Sequence, residues 1–354
     1  MKNQISARQL CTAGFTGLLS LSAAAAWVDW RGALLAIPVV LLAVCAAYFG
    51  AKRAGGLLEN PGGKPLALLY IIWGVFLAGT ALALCGARMS EAGSGNGPLW
   101  PTMLAALPVL WLAVGKPEAF ARAAEILYLA MLVVLVFIAL LGAGQVEPRW
   151  VLAPGESVAG SFVMAAGIGC TGVYALLLWN GRGEGRFLEW SAAGGLVLAG
   201  MAVLTAGSLS PVLTSAVDRP FFLMTVGLGR TARAESLAAL LWLAADVAFL
   251  GLVLQSCRGL WKDVLGLRGE KWAGAAFTAA ALGLSLGLER AGDAEALLRE
   301  VIPVGGLLLG GAAPVLLWGM GKWRKGRTPG TISGGAEGRG DGIFWASEDA
   351  EKKS

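Results

Sequence analysis

Ile126-Leu127-Tyr128-Leu129-Ala130-Met131-Leu132-Val133-Val134-Leu135-Val136-Phe137-Ile138-Ala139-Leu140-Leu141-Gly142-Ala143 carries no charge. A helix crosses the hydrocarbon of a bilayer with about 20 mostly apolar residues, so this run belongs to a span of roughly 118–143. Nine further segments qualify or nearly so: roughly 8–27, 32–51, 65–87, 99–115, 158–180, 187–208, 235–257, 271–289 and 301–321. The segment 99–115 is the shortest, and Pro101 and Pro108 make it the least regular. The whole chain has the same character: 56% of its 354 residues are hydrophobic and 14% are charged, against about 25% charged in soluble domains. Mean hydropathy is +0.68. The apolar runs are too long and unbroken for the alternating strands of a membrane barrel. In hydrocarbon, only helices then satisfy the backbone. The expected fold is an all-α integral membrane domain of ten transmembrane helices over 1–321.

Several function classes drop out on composition. The chain has no histidine, which excludes Ser-His-Asp and Cys-His catalysis and histidine-ligated zinc or haem. Cys11, Cys45, Cys85, Cys170 and Cys257 are scattered through apolar stretches without metal-ligand spacing. They read as small buried hydrophobes. There is no Walker A sequence, GxSxG, HExxH or intramembrane carboxylate pair on one helix face. The expectation is a protein without catalytic residues, metal or cofactor, and not an enzyme.

The basic residues report orientation. With the N-terminus in the cytoplasm, Arg31, Arg88, Arg149, Arg219, Arg230, Arg233, Arg290 and Arg299 fall outside, and the other twenty of the 28 lysines and arginines fall inside. That asymmetry accounts for the basic pI near 9.0 without nucleic acid. Trp27, Trp30, Trp100, Trp150, Trp179, Trp190, Trp261, Trp272, Trp318 and Trp323 cluster at span ends, as an interfacial belt does. Ten spans return the C-terminus to the cytoplasm. The segment 322–354, rich in Gly, Lys, Arg, Glu and Ser, reads as a disordered cytoplasmic tail. Two readings of the N-terminus stay open: a retained first span, or a cleavable signal peptide of Lys2 and Arg8, an apolar run and Ser22-Ala23-Ala24-Ala25-Ala26.

Polar groups inside the spans are the functional candidates. Thr12-Ala13-Gly14-Phe15-Thr16-Gly17 interrupts span 1, and Gly167-Ile168-Gly169-Cys170-Thr171-Gly172 interrupts span 6. Gly-interrupted segments at matching places in two halves point to an inverted-repeat transporter architecture with helices 1 and 6 broken. Unwound backbone there offers N–H groups to a carboxylate and carbonyls to an ammonium, which suits a zwitterion such as an amino acid. Close helix packing is the competing account of the same glycines. Asp246 lies midway along span 8 and has two readings. It either glues two helices together, or serves as an ion, proton or cavity group. Arg122 and Glu125 read as an interfacial pair, and Arg233 and Glu235 as a cap and headgroup anchor.

Three short motifs give the chain a family likeness. Ile5-Ser6-Ala7-Arg8-Gln9-Leu10 matches an opening Ile-Ser-x-Arg-Gln, Asp29-Trp30 resembles an Asp-Gly-Trp before span 2, and Arg233-Ala234-Glu235 with Trp242 resembles an Arg-Leu-Asp/Glu followed by a helical Trp in span 8. In these the chain resembles the B-type membrane subunit of spore germinant receptors, the endospore germination permeases of the amino acid–polyamine–organocation transporter superfamily. It departs from them at Gly172-Val173-Tyr174, where the family often has Gly-Phe-Glu, and in lacking the span 1 proline. A basic residue sometimes found in the middle of span 8 is also absent, Asp246 lying nearby instead. The resemblance implies a five-plus-five inverted repeat in the spore inner membrane and A-type and C-type partner subunits. It also implies sensing of a small nutrient germinant, commonly an amino acid. A secondary amino acid or polyamine permease is the alternative. Carried over by position, the ligand-facing residues are Gly14, Thr16, Gly17, Gly169, Thr171 and Gly172.

Overall fold

A computed structural model describes residues 5–24, 29–54, 58, 63–90, 97–153, 157–179, 186–217, 220–229 and 234–325. Among these residues there is no strand. The first half holds α1 (Ala7–Ala24), α2 (Trp30–Ala54), α3 (Gly63–Met89), α4 (Leu99–Val114), α5 (Pro117–Ala143) and the short α6 (Pro148–Leu152). The second holds α7 (Val158–Cys170), α8 (Val173–Leu178), α9 (Phe187–Leu209), α10 (Pro211–Ala216), α11 (Pro220–Gly229), α12 (Ala234–Gly259), α13 (Glu270–Ala291), α14 (Ala294–Gly305) and α15 (Ala313–Lys325). A π-helical turn, Leu260–Val264, extends α12, and another, Gly306–Ala312, joins α14 to α15.

Among the described residues, eight helical segments are long and apolar enough to cross a membrane: α2, α3, α5, α9, α13, α7 with α8, α12 with its π turn, and α14 with the segment after it. The protein is an all-α integral membrane protein. Of the remaining segments expected to span, α4 has 16 residues, and α1 is a buried 18-residue helix diluted by Arg8, Gln9 and its threonines. α10 and α11 lie between the expected spans 187–208 and 235–257. α15 carries helix to Lys325, four residues into the expected tail, and the rest of that tail lies outside the described residues.

Local chemistry starts the helices. Ser6 and Gln9 form a reciprocal capping box: the Ser6 amide donates to Gln9 Oε1 and the Gln9 amide to Ser6 Oγ, both at 3.2 Å. Asp29 caps α2 by accepting from the Arg31 amide at 2.8 Å. Lipid contact is legible on α5, where Ile126, Leu129, Val133, Val136 and Leu140 form an exposed stripe. Phe120, Ala124, Met131 and Ile138 face inward. The hydrocarbon-facing side is therefore as apolar as the core, and packing relies on small residues. A Cβ on Gly167 would fall on the Pro303 backbone, and one on Gly310 on the Cys170 backbone. Those contacts press α7 flat against α14 and the π turn behind it.

The packing order positions the site. α2 lies against α7 and α9; α3 lies against α12, α13 and α4; α4 lies against α12 and α13. α5 covers α1 and α12, while α14 and the following π turn cover α7 and α14 also touches α3. α1 runs between α12, α5, α9 and α8. Trp179, expected in the interfacial belt, is buried and stacked on Tyr48 at 4.7 Å between centroids. Trp100 and Trp272 are exposed, as belt residues are.

Candidate functional site

The glycine clusters of spans 1 and 6 do meet. Gly14, Thr16 and Gly17 lie on α1, Gly169 is the second-last residue of α7, and Thr171 and Gly172 form the turn between α7 and α8. A Cβ on Gly14 would stand 3.2 Å from the Ala175 side chain, and one on Gly17 3.3 Å from Phe249. Gly172 looks toward Leu18.

The expected breaks are not both present. α1 is one continuous helix through Gly14 and Gly17, which corrects the expectation of a broken span 1. Without proline every amide in the run can stay bonded. The hydroxyls point at their own helix, Thr12 Oγ1 to Arg8 O at 3.0 Å and Thr16 Oγ1 to Thr12 O at 2.8 Å. Span 6 does change conformation at Thr171-Gly172, but it tightens rather than unwinds. The Thr171, Gly172, Tyr174 and Ala175 amides donate to carbonyls three residues back at 3.0–3.2 Å, and Thr171 Oγ1 donates to Ile168 O at 2.6 Å. The cavity beside them is an apolar crevice of about 20 Å³ lined by residues such as Leu18, Ile37, Ile168, Gly169 and Leu198. That is room for a single water. The main-chain groups of these six residues are therefore bonded, and they do not form an open cradle in this conformation.

The polar centre lies further along α1. Asp246, fully buried on α12, accepts from Ser20 Oγ on α1 at 2.5 Å. It also takes Arg88 Nη2 of α3 at 2.6 Å to each carboxylate oxygen. Cys85, nearly one turn before Arg88, sits against the same carboxylate. Three helices are thus tied at one point. Arg88 was expected in an external connection; instead its side chain turns inward and is 6% exposed. An unpaired charge in hydrocarbon costs several kcal/mol, whereas two opposite charges in contact offset most of that, so the arginine ending span 3 goes to the acid of span 8. Asp246 is the thirteenth of the 26 residues of α12. The carboxylate therefore lies near the middle of that helix. Beside Gly86, two residues before Arg88, Thr102 Oγ1 donates to Glu289, and a Cβ on Gly86 would strike the Thr102 hydroxyl.

Arg88 is incompletely used. Its Nε and Nη1 are buried with no hydrogen-bond partner among the described residues, and so is Trp242 Nε1, one turn before Asp246 on α12. The Trp242 ring is held edge-on by Phe221 of α11 at 5.2 Å between centroids.

A second buried arginine sits near the C-terminal end of α12. Arg258 Nη1 donates to the carbonyls of Ala113 (3.2 Å), Val114 (3.1 Å) and Gly115, which end α4, and Nη2 reaches Glu270 at 3.3 Å. Gln255 donates to Leu112 and Gly115 carbonyls. This is a cation and an amide satisfying a helix C-terminus. Lys262 adds a 2.7 Å pair to Glu270.

Of the other candidates, Glu125 accepts from Gln9 Nε2 at 3.2 Å. The side chains of Arg233 and Glu235 lie outside the described residues. The five cysteines are free, and among the described residues no three His, Cys, Asp or Glu gather as metal ligands. Sequence reading missed Ser20, Arg88, Gln255 and Arg258. The available signal for Arg88 was Asp246 itself, since an acid within a span needs a basic or hydroxyl partner from another span. No protein-family model matches the chain, and no curated protein matches it either.

Proposed function

We propose that this chain is a ten-span membrane protein of five-plus-five transporter type that holds a small zwitterionic solute and senses it, in the manner of the B-type germinant receptor subunits it resembles. The single observation that carries this reading is the pairing of helices across the two halves. Shifting each span by five maps one set of contacts onto another: span 1 on 5 becomes 6 on 10, 2 on 6 becomes 7 on 1, 3 on 9 becomes 8 on 4, 3 on 4 becomes 8 on 9, and 5 on 8 becomes 10 on 3. Spans 2 and 7, 3 and 8, and 4 and 9 pair with each other, as counterparts do. Such a repeat places solute sites where its halves meet, and the clusters around Gly14 and Gly172 lie there.

The clearest departure from the repeat is functional in character. Span 1 packs heavily on span 8 through Ser20 and Asp246, while its counterpart, span 6 on span 3, meets through Tyr174, whose hydroxyl donates to Tyr70 O at 2.8 Å. A ligand shifts such a structure only by the difference in its affinity for two states. An ion pair that joins three helices gives two such states distinct energies. On this reading the protein sits in the spore inner membrane with both termini cytoplasmic, and A-type and C-type subunits read out the shift.

The second reading, a secondary amino acid or polyamine permease, is favoured by Asp246, a buried carboxylate of the kind that couples to a cation or proton. Purification from native membrane with identification of co-purifying proteins tests the sensor: both partner types should appear. Gradient-driven accumulation of labelled amino acid in proteoliposomes, with neither partner recovered, would replace it by the permease.

A further inference from the structure

We infer that the unused donors of Arg88 and Trp242 are the carboxylate-binding end of the solute site. This places the solute's acid group on side chains between α1, α3 and α12 rather than on unwound backbone. The inference rests on the solute-binding reading above and says which chemistry that solute must carry.

The argument is one of unsatisfied chemistry. A guanidinium has five N–H donors in a fixed plane. In Arg88 both carboxylate oxygens of Asp246 fall on Nη2 alone, leaving Nε and both hydrogens of Nη1 without an acceptor among the described residues. Trp242 Nε1 is a further buried donor without an acceptor among the described residues. Asp246 cannot serve them, because Ser20, Cys85 and Arg88 already occupy it. Buried donors are almost always paired, and Arg258 shows that this fold pairs an arginine when its role is to hold helices together. Every unmatched group at the Arg88 site among the described residues donates, so the complementary ligand accepts.

Charge narrows the class further. Arg88 and Asp246 together are neutral, and an added bare anion in this low-dielectric setting would be uncompensated. A zwitterion brings its carboxylate to the donors with no net charge. The donors are sealed in this conformation, so the solute reaches them when α1 and α12 part, and it is occluded when they close.

The test uses the full chain in detergent or nanodiscs, with thermal stability and equilibrium binding read for L-alanine, L-valine and L-asparagine separately. For the best binder, its carboxylate-only and amine-only analogues are run alongside (propionate and ethylamine where it is L-alanine). Trp242→Phe keeps the ring against Phe221 and removes only the N–H. Arg88→Lys keeps a cation for Asp246 and removes the guanidinium donors. At least one zwitterion should bind, with propionate or its equivalent much weaker. Trp242→Phe should weaken that binding about tenfold, as expected for one charge-assisted hydrogen bond, and Arg88→Lys should abolish it. If Arg88→Lys does not yield folded protein, Trp242→Phe decides alone. Unchanged affinity in Trp242→Phe overturns this assignment and leaves the solute-binding reading standing; failure of all three zwitterions to bind wild type removes that reading itself.

Discussion

Two buried arginines bond at different points along α12, and they are used differently. Arg258 spreads its hydrogen bonds over three carbonyls ending α4 and over Glu270. Arg88 gives one nitrogen to Asp246 and leaves two without partners among the described residues. The first is a joint whose chemistry is complete within the chain. The second holds three helices with part of its capacity and keeps the remainder for something else. The difference teaches that burial and charge alone do not mark a site in a membrane protein; incomplete satisfaction does.

The largest expected effect follows from breaking the Arg88–Asp246 pair. Asp246→Leu or Arg88→Met alone should destabilise the protein by about 3–5 kcal/mol, because each leaves an uncompensated buried charge. Thermal unfolding in detergent, followed by loss of monodisperse protein, measures it. The double variant should recover most of that loss while remaining blind to solute; a double as unstable as the sum of the singles would mean the two residues do not act as a pair. Next, Arg258→Met should cost about 2–3 kcal/mol through orphaned α4 carbonyls and leave zwitterion affinity untouched. If it removed affinity as Arg88→Lys does, the contrast between the two arginines would collapse. Ser20→Ala, which deletes one of the donors to Asp246, should cost about 1 kcal/mol by the same unfolding assay. The smallest effect is Glu270→Gln, at about 0.5 kcal/mol or less, since its pairs to Arg258 and Lys262 are partly exposed and screened.

Much of the architecture was legible because hydrocarbon is a demanding solvent. Long uncharged runs such as 126–143 have no other stable form, and the structure turns those residues into the lipid-facing stripe of α5. Asp246 was legible for the same reason. The family-like motifs proved to have local work. Ser6 and Gln9 close a capping box and Asp29 caps α2, so part of that likeness is the chemistry of starting a helix. Glycine was the weakest guide. Gly14 and Gly17 signalled a break to the eye, yet they serve close approach to Ala175 and Phe249, and sequence alone does not separate a glycine that unwinds from one that packs. Arg88 was misplaced because a charge at the end of a hydrophobic run reads as a loop residue until the acid facing it on another span is known.

The two-residue turn at Thr171-Gly172 separates helices with different attachments. α7 is pressed through glycines onto Pro303 and the π turn of the last span. α8 is moored elsewhere, with Tyr174 bonded to Tyr70 O and Ser256 donating to the Tyr174 carbonyl. Any relative slip between those two sets of neighbours must be absorbed at the turn. Span 6 thereby acts as an articulated rod, its elbow level with the glycines of α1.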